Sequence, residues 1–182
     1  RTQNDHTPII LMGYYNPILQ FGTKNFLYQC DLIGVDGLIV VDLPIEHDEE
    51  LSKPAKEIGI DFINLVTPTT SSERLKNILE VSSGFLYYVS IAGITGTKAP
   101  DIKNLQNIIN KIKTYTDIPI GVGFGIKDSE QVKNISQFSD AVVVGSAIVQ
   151  KINNLKEQNL NDQDLVSSLT NYLLDLSSGL NT

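Results

Sequence analysis

Short apolar runs recur along the chain, with longer stretches of mixed polarity between them. The runs begin at positions 9, 37, 62, 85, 118 and 141, at intervals of 23 to 33 residues. Continuous apolar runs of about four to eight residues, rich in β-branched types, predict strands buried on both faces. Between them, apolar residues take helical spacing. Phe26, Leu27, Cys30 and Ile33 form one such stripe, and Leu105, Ile108, Ile109 and Ile112 another. Leu75, Ile78 and Leu79 form a third, behind a Thr70-x-x-Glu73 capping box. Gly34 and Gly59 stand just past helix ends, where a left-handed residue is wanted. Segments 32–41 and 57–66 use the same helix–glycine–strand device 25 residues apart. Strand, helix, strand at this interval predicts βαβ units and a parallel sheet. The expected architecture is α/β, with six βα units over residues 8–156 of a single domain 1–182. After a polar stretch, Leu165, Leu169, Tyr172, Leu173 and Leu176 predict a C-terminal helix over 160–178.

Composition narrows the function classes. A length of 182 residues suits one domain. It is short of the roughly 250 residues of a complete eight-unit α/β barrel. A net charge of −7 without a basic run argues against a nucleic-acid surface. No run approaches the roughly 18 apolar residues of a membrane span. Cys30 is the only cysteine, which excludes an internal disulfide and points to a reducing compartment. His6 and His47 are the only histidines, so no zinc-type metal site is expected. The start at Arg1 is polar and carries no signal-peptide pattern. It reads as a processed or N-terminally partial chain. The expected location is the cytoplasm, or a plastid stroma if the source is an alga; abundant Asn, Ile and Lys suit an A+T-rich genome.

In parallel α/β folds, ligands lie at the carboxyl ends of strands. Two of these ends are the most informative. Gly123-Phe124-Gly125 frees backbone N–H groups for the close approach of an anion. Gly145-Ser146 follows a buried strand and opens a short helix whose N-terminal dipole favours a phosphate. One Gly-x-Gly is a weak signal, since glycines also make turns. Two glycine ends one strand apart are a stronger one. Residues 90–98 join small residues and glycines over a long connection: either a lid hinged at Gly93 and Gly96 or an ordinary glycine-rich loop. Asp42 either meets a ligand or partner, or caps the helix predicted over 44–51, whose first turn is acidic. His47 reads as part of that acidic turn and Cys30 as a buried inert thiol. Tyr14, Tyr15, Tyr87 and Tyr88 read as strand aromatics, with Tyr87 or Tyr88 able to line a flat ligand. No strand end offers a Schiff-base lysine, a Ser-His-Asp set or paired carboxylates.

Five motifs are more specific: LMGYYNPI (11–18), GVDGLIVVDLPIEH (34–47), GFLYYVSIAGITG (84–96), PIGVGFGI (119–126) and VVVGSAIV (142–149). Together, and in this order, they closely resemble the tryptophan synthase α chain from about Pro8 to Lys151. The resemblance implies a (β/α)8 TIM barrel, of which about six βα units lie in this chain. It implies retro-aldol cleavage of indole-3-glycerol phosphate to indole and glyceraldehyde 3-phosphate. It also implies a partner β chain in an α2β2 complex; the pyridoxal phosphate belongs to that chain and no cofactor to this one. By resemblance, Gly96, Phe124, Gly125, Gly145 and Ser146 surround the substrate phosphate. Ile39, Leu65 and Tyr87 line the indole pocket, Gly93 and Thr95 belong to the lid, and Asn16 and Pro44 face the β chain.

One departure stands out. The family's catalytic Glu lies at the end of its second strand and its Asp in the following loop. The run at 9–12 corresponds to the family's third strand, so neither acid has a counterpart, and no catalytic residue is expected in this chain. The readings left open are an N-terminally partial lyase, a short non-catalytic protein that binds phosphate or docks a β chain, and another phosphate-barrel isomerase.

Overall fold

A computed structural model of the chain describes residues 6–89, 102–123, 125–158 and 160–180. They group into two compact units, Arg1–Tyr87 with Tyr115–Pro119, and Tyr88–Thr114 with Ile120–Thr182.

The first unit opens with strand β1 (Ile10–Gly13), followed by helices α1 (Tyr15–Phe21) and α2 (Thr23–Ile33) and strand β2 (Gly37–Val40). A 3-10 segment (Ile45–Glu50) and helix α3 (Ser52–Glu57) lead into the short strands β3 (Asp61–Phe62) and β4 (Leu65–Val66). Helix α4 (Ser72–Val81) then returns the chain to β5 (Leu86–Val89). β1, β2 and β3 are adjacent and parallel, with Gly13 level with Val40 and Leu38 level with Phe62. Leu27 and Cys30 of α2 join Leu38, Val40, Leu51, Ala55 and Phe62 in one core cluster. All four residues of β2 are buried, as an unbroken apolar run requires when both faces of a strand are covered. Leu11 and Met12 of β1 are exposed, Met12 by 58%.

The second unit carries the rest of β5, helix α5 (Ile102–Lys113), strand β6 (Ile120–Gly123), helix α6 (Ser129–Ser136) and strand β7 (Ala141–Val143). Helices α7 (Ser146–Glu157) and α8 (Asp162–Ser178) close it. β6 and β7 are parallel, with Gly121 level with Ala141 and Gly123 level with Val143. β6 is buried throughout. Leu105, Ile109 and Ile112 of α5 form its buried stripe.

The α/β class and the parallel strands are as expected, and local chemistry explains the differences. The apolar run at 62–66 is two strands, because its pairing changes partway. Ile63 N–H still donates to Leu38 O of β2, whereas Asn64 O accepts from Tyr87 N–H of β5. The run at 118–122 becomes a strand only at Ile120, after Pro119, which has no N–H to give a ladder. Tyr14 and Tyr15 are not strand residues: Tyr14 caps α1 and Tyr15 begins it. The capping residue of α4 is Ser71, which accepts from Arg74 N–H, while Thr70 Oγ1 accepts from Thr67 N–H. Ile33 falls off the buried stripe of α2 and is exposed. Gly34 takes the left-handed conformation (φ 75°, ψ 46°) that the helix end calls for.

Candidate functional site

The strand ends of the second unit carry the two glycine segments read from the sequence as a candidate anion site. The β6–β7 register sets Gly123 beside Val143. Gly125 and Gly145 each stand two residues beyond that pair. Gly125 has φ of +39°, and an added Cβ at Gly125 or Gly145 meets nothing within 4 Å. Among the described residues, nothing packs against the Cβ position of either glycine. Gly145 caps α7 without a side-chain bond. Its carbonyl accepts from the N–H groups of Ile148 and Val149. The amides of Ser146 and Ala147, in the first turn, have no intrahelical acceptor and point out of the helix end with its positive dipole. Ser146 is exposed beside them and can add its hydroxyl.

Ser146 and Ala147 also line a cavity of about 380 Å³ with Lys127, Gln150, Lys151, Asn154 and Tyr172. Tyr172 donates its hydroxyl to Lys127 O at 2.9 Å, and Lys151 Nζ lies 5.8 Å from the Tyr172 ring centroid. These two lysines are the cationic residues that sequence reasoning did not single out. The signal was the lysine that directly follows Gly123-Phe124-Gly125-Ile126.

In the first unit, Ile39, Leu65 and Tyr87 alternate with core residues. Leu38 and Val40 belong to the core cluster around α2, so Ile39, buried between them, points to the opposite face of β2. Leu65 and Tyr87 are half-buried next to the fully buried Val66 and Tyr88. Burial pushes the Tyr87 hydroxyl above its ordinary pKa, so it stays protonated as a donor.

Asn16 and Pro44 are both exposed and belong to neighbouring strand ends of this unit. Asp42 connects those ends. Its Oδ1 accepts from Tyr15 N–H at 2.7 Å, so it caps α1 from across the sheet, not the segment that follows it, whose own cap is Pro44. Tyr15 Oη donates to Glu50 Oε2 at 2.7 Å, and His47 Nδ1 lies 2.6 Å from Glu50 Oε1. The hydrogen bond from Tyr15, then that from His47, holds the Glu50 carboxyl below the usual range. His47 thus supports a surface carboxylate, as its place in the acidic turn suggested.

Gly93, Thr95, Gly96 and Phe124 lie outside the described residues. Among the described residues, no group of His, Cys, Asp and Glu could hold a metal ion. No helix there is long and apolar enough to cross a membrane.

Known proteins match this arrangement. The family model for the tryptophan synthase α chain matches residues 1–175. The α subunit of tryptophan synthase from Legionella pneumophila str. Paris superposes with a TM-score of 0.87 at 35% identity, over 100% of this chain and 65% of that one. The α chain from Legionella pneumophila subsp. pneumophila gives 0.86 at 36%, with the same coverage. A structure of the tryptophan synthase α2β2 complex from Pyrococcus furiosus gives 0.83 at 35%, over 97% of this chain and 69% of that one. The chain therefore spans about 65% of the length of the Legionella proteins. With a family model over most of its length and solved relatives over all of it, the chain belongs to the tryptophan synthase α-chain family.

Proposed function

We propose that this chain is the phosphate-gripping and partner-docking part of a tryptophan synthase α subunit. The intact subunit cleaves indole-3-glycerol phosphate to indole and glyceraldehyde 3-phosphate. The observation that supports this reading is the β6–β7 register, which pairs Gly123 with Val143, two residues ahead of Gly125 and of Gly145 at the start of α7. Phosphate oxygens accept from the amides of Gly125, Gly145 and Ser146 and from the Ser146 hydroxyl; by the family resemblance Gly96 and Phe124 belong to the same site. The helix dipole favours the dianion. Ile39, Leu65 and Tyr87 receive the indole, and Gly93 and Thr95 belong to the lid. In this family reading a Glu moves protons at indole C3 and the glycerol hydroxyl, and an Asp stabilises charge developing at the ring nitrogen. Neither acid has a counterpart in these 182 residues, so binding and acid–base chemistry are carried by different parts of the subunit. Asn16 and Pro44 face the β chain of an α2β2 tetramer, and that chain carries the pyridoxal phosphate.

Calorimetric titration with glycerol 3-phosphate tests the grip. Ser146→Ala removes one charge-assisted donor and weakens binding about tenfold. Gly145→Val fills the open space and abolishes binding. The 182-residue chain releases no indole from indole-3-glycerol phosphate. Substantial indole release would place acid–base groups inside it and overturn the division of labour. Unchanged titrations of both variants would overturn the site.

A further inference from the structure

No residue of the segment that follows Pro44 is fully buried. The segment is a 3-10 turn, Ile45–Glu50, with non-helical angles at His47 (φ −108°, ψ 25°). Short 3-10 segments have poor hydrogen-bond geometry and are marginal by themselves. Side chains from other elements hold this one in place. At its far end Glu50 accepts from Tyr15 Oη, the first residue of α1. At its near end Glu46 accepts from Arg74 Nη1 of α4 at 2.8 Å. Tyr15 is in turn fixed by its N–H to Asp42 Oδ1, and Val41 N–H donates to Gly13 O. These bonds form a closed circuit: strand end β1, Tyr15, Glu50, the turn, Pro44, Asp42 and back to Tyr15. Asn16 is the next residue after Tyr15, so the circuit ties both expected docking residues to one frame.

We propose that Tyr15 and Glu50 are positioning residues of the docking surface, whose hydroxyl–carboxylate bond holds the turn bearing Pro44 in register with Asn16 for a partner chain. The inference rests on the docking reading above and adds the device that makes the surface rigid. A partner that meets a preformed surface does not have to order the turn on binding, so loss of the bond appears as lost affinity.

The experiment measures binding of the full 182-residue chain to purified tryptophan synthase β chain from the same source, alongside amide hydrogen exchange over 45–50. Tyr15→Phe deletes one oxygen and Glu50→Gln one charge. Each weakens binding about five- to tenfold and speeds exchange of the turn by a similar factor. The double variant is no worse than Glu50→Gln alone, because that change already weakens the bond to Tyr15 together with the one to His47. Lys53→Ala removes an exposed pair with Glu49 of the same turn, breaks none of the circuit's own bonds and leaves affinity unchanged. If the wild-type chain does not bind the β chain, the docking reading fails and the inference with it. If the wild type binds and both variants bind equally well, the inference alone fails. Additive losses in the double variant, or a Lys53→Ala loss as large as that of Tyr15→Phe, also overturn it.

Discussion

Asp140 ties three parts of the second unit together with one carboxylate. Its Oδ1 lies 2.9 Å from Lys113 Nζ at the end of α5, and its Oδ2 accepts from Ile120 N–H at 2.9 Å at the start of β6. Its own N–H donates to Ile120 O. Partial burial works against the charge, but Lys113 and the Ile120 amide outweigh it and hold the carboxyl below the usual range. A carboxylate whose pKa is depressed by folding stabilises the folded chain above its unfolded value and loses that contribution as pH falls through the folded one. Asp140→Asn therefore lowers the urea midpoint at pH 7, and the gap to wild type narrows below about pH 3.9, the unfolded value. A gap that stays constant across that range would rule this out. Such bonds explain what single residues concealed in the sequence. Cys30 and Gly34 could be placed correctly because burial on a stripe and a left-handed helix end are local properties. Asp42 could not, since its partner Tyr15 is 27 positions away and meets it only through the β1–β2 register.

Periodicity marks the strands and helices α2, α4, α5 and α8, because a buried stripe repeats whatever it packs against; it does not mark α7, for which the glycine at its start predicts only a short helix. It missed α1, although Pro17 in the first turn was the available sign: the missing N–H costs nothing there. It also merged β3 with β4, since a change of pairing partner leaves no trace in an unbroken apolar run. The apolar spacing predicts a C-terminal helix over 160–178, and the helix runs Asp162–Ser178, with Asn161 capping it by accepting from Asp164 N–H. Gly179, just past its end, is buried against the first turn of α6. A Cβ added there meets the carbonyl oxygen of Ser129, with Lys133 N and Val132 Cβ each at 3.0 Å. Backbone atoms cannot step aside as a side-chain tip can. Gly179→Ala is therefore expected to destabilise the chain by about 1–3 kcal/mol through overpacking. Urea denaturation should show a lower midpoint at an unchanged slope. An unaltered midpoint would mean that α8 does not seat against α6 in this way.

The collinear motifs carried the family assignment further than composition could, and the match over residues 1–175 accords with them. Charge and length only set limits: a net −7 chain of 182 residues could host many functions. What no periodicity reveals is which strand ends become neighbours. Gly125 and Gly145 stand 20 positions apart, and only the parallel β6–β7 register sets the residues two before each, Gly123 and Val143, side by side. The lysines beside them, Lys127 and Lys151, became visible only as walls of one cavity with Ser146. The grip itself is the central claim, and amide-resolved NMR titration with glycerol 3-phosphate tests it most directly. The account predicts saturable shifts concentrated at the amides of Gly125, Gly145 and Ser146, with the Asn16 and Pro44 region unmoved. Shifts centred elsewhere, or none at saturating ligand, would contradict it.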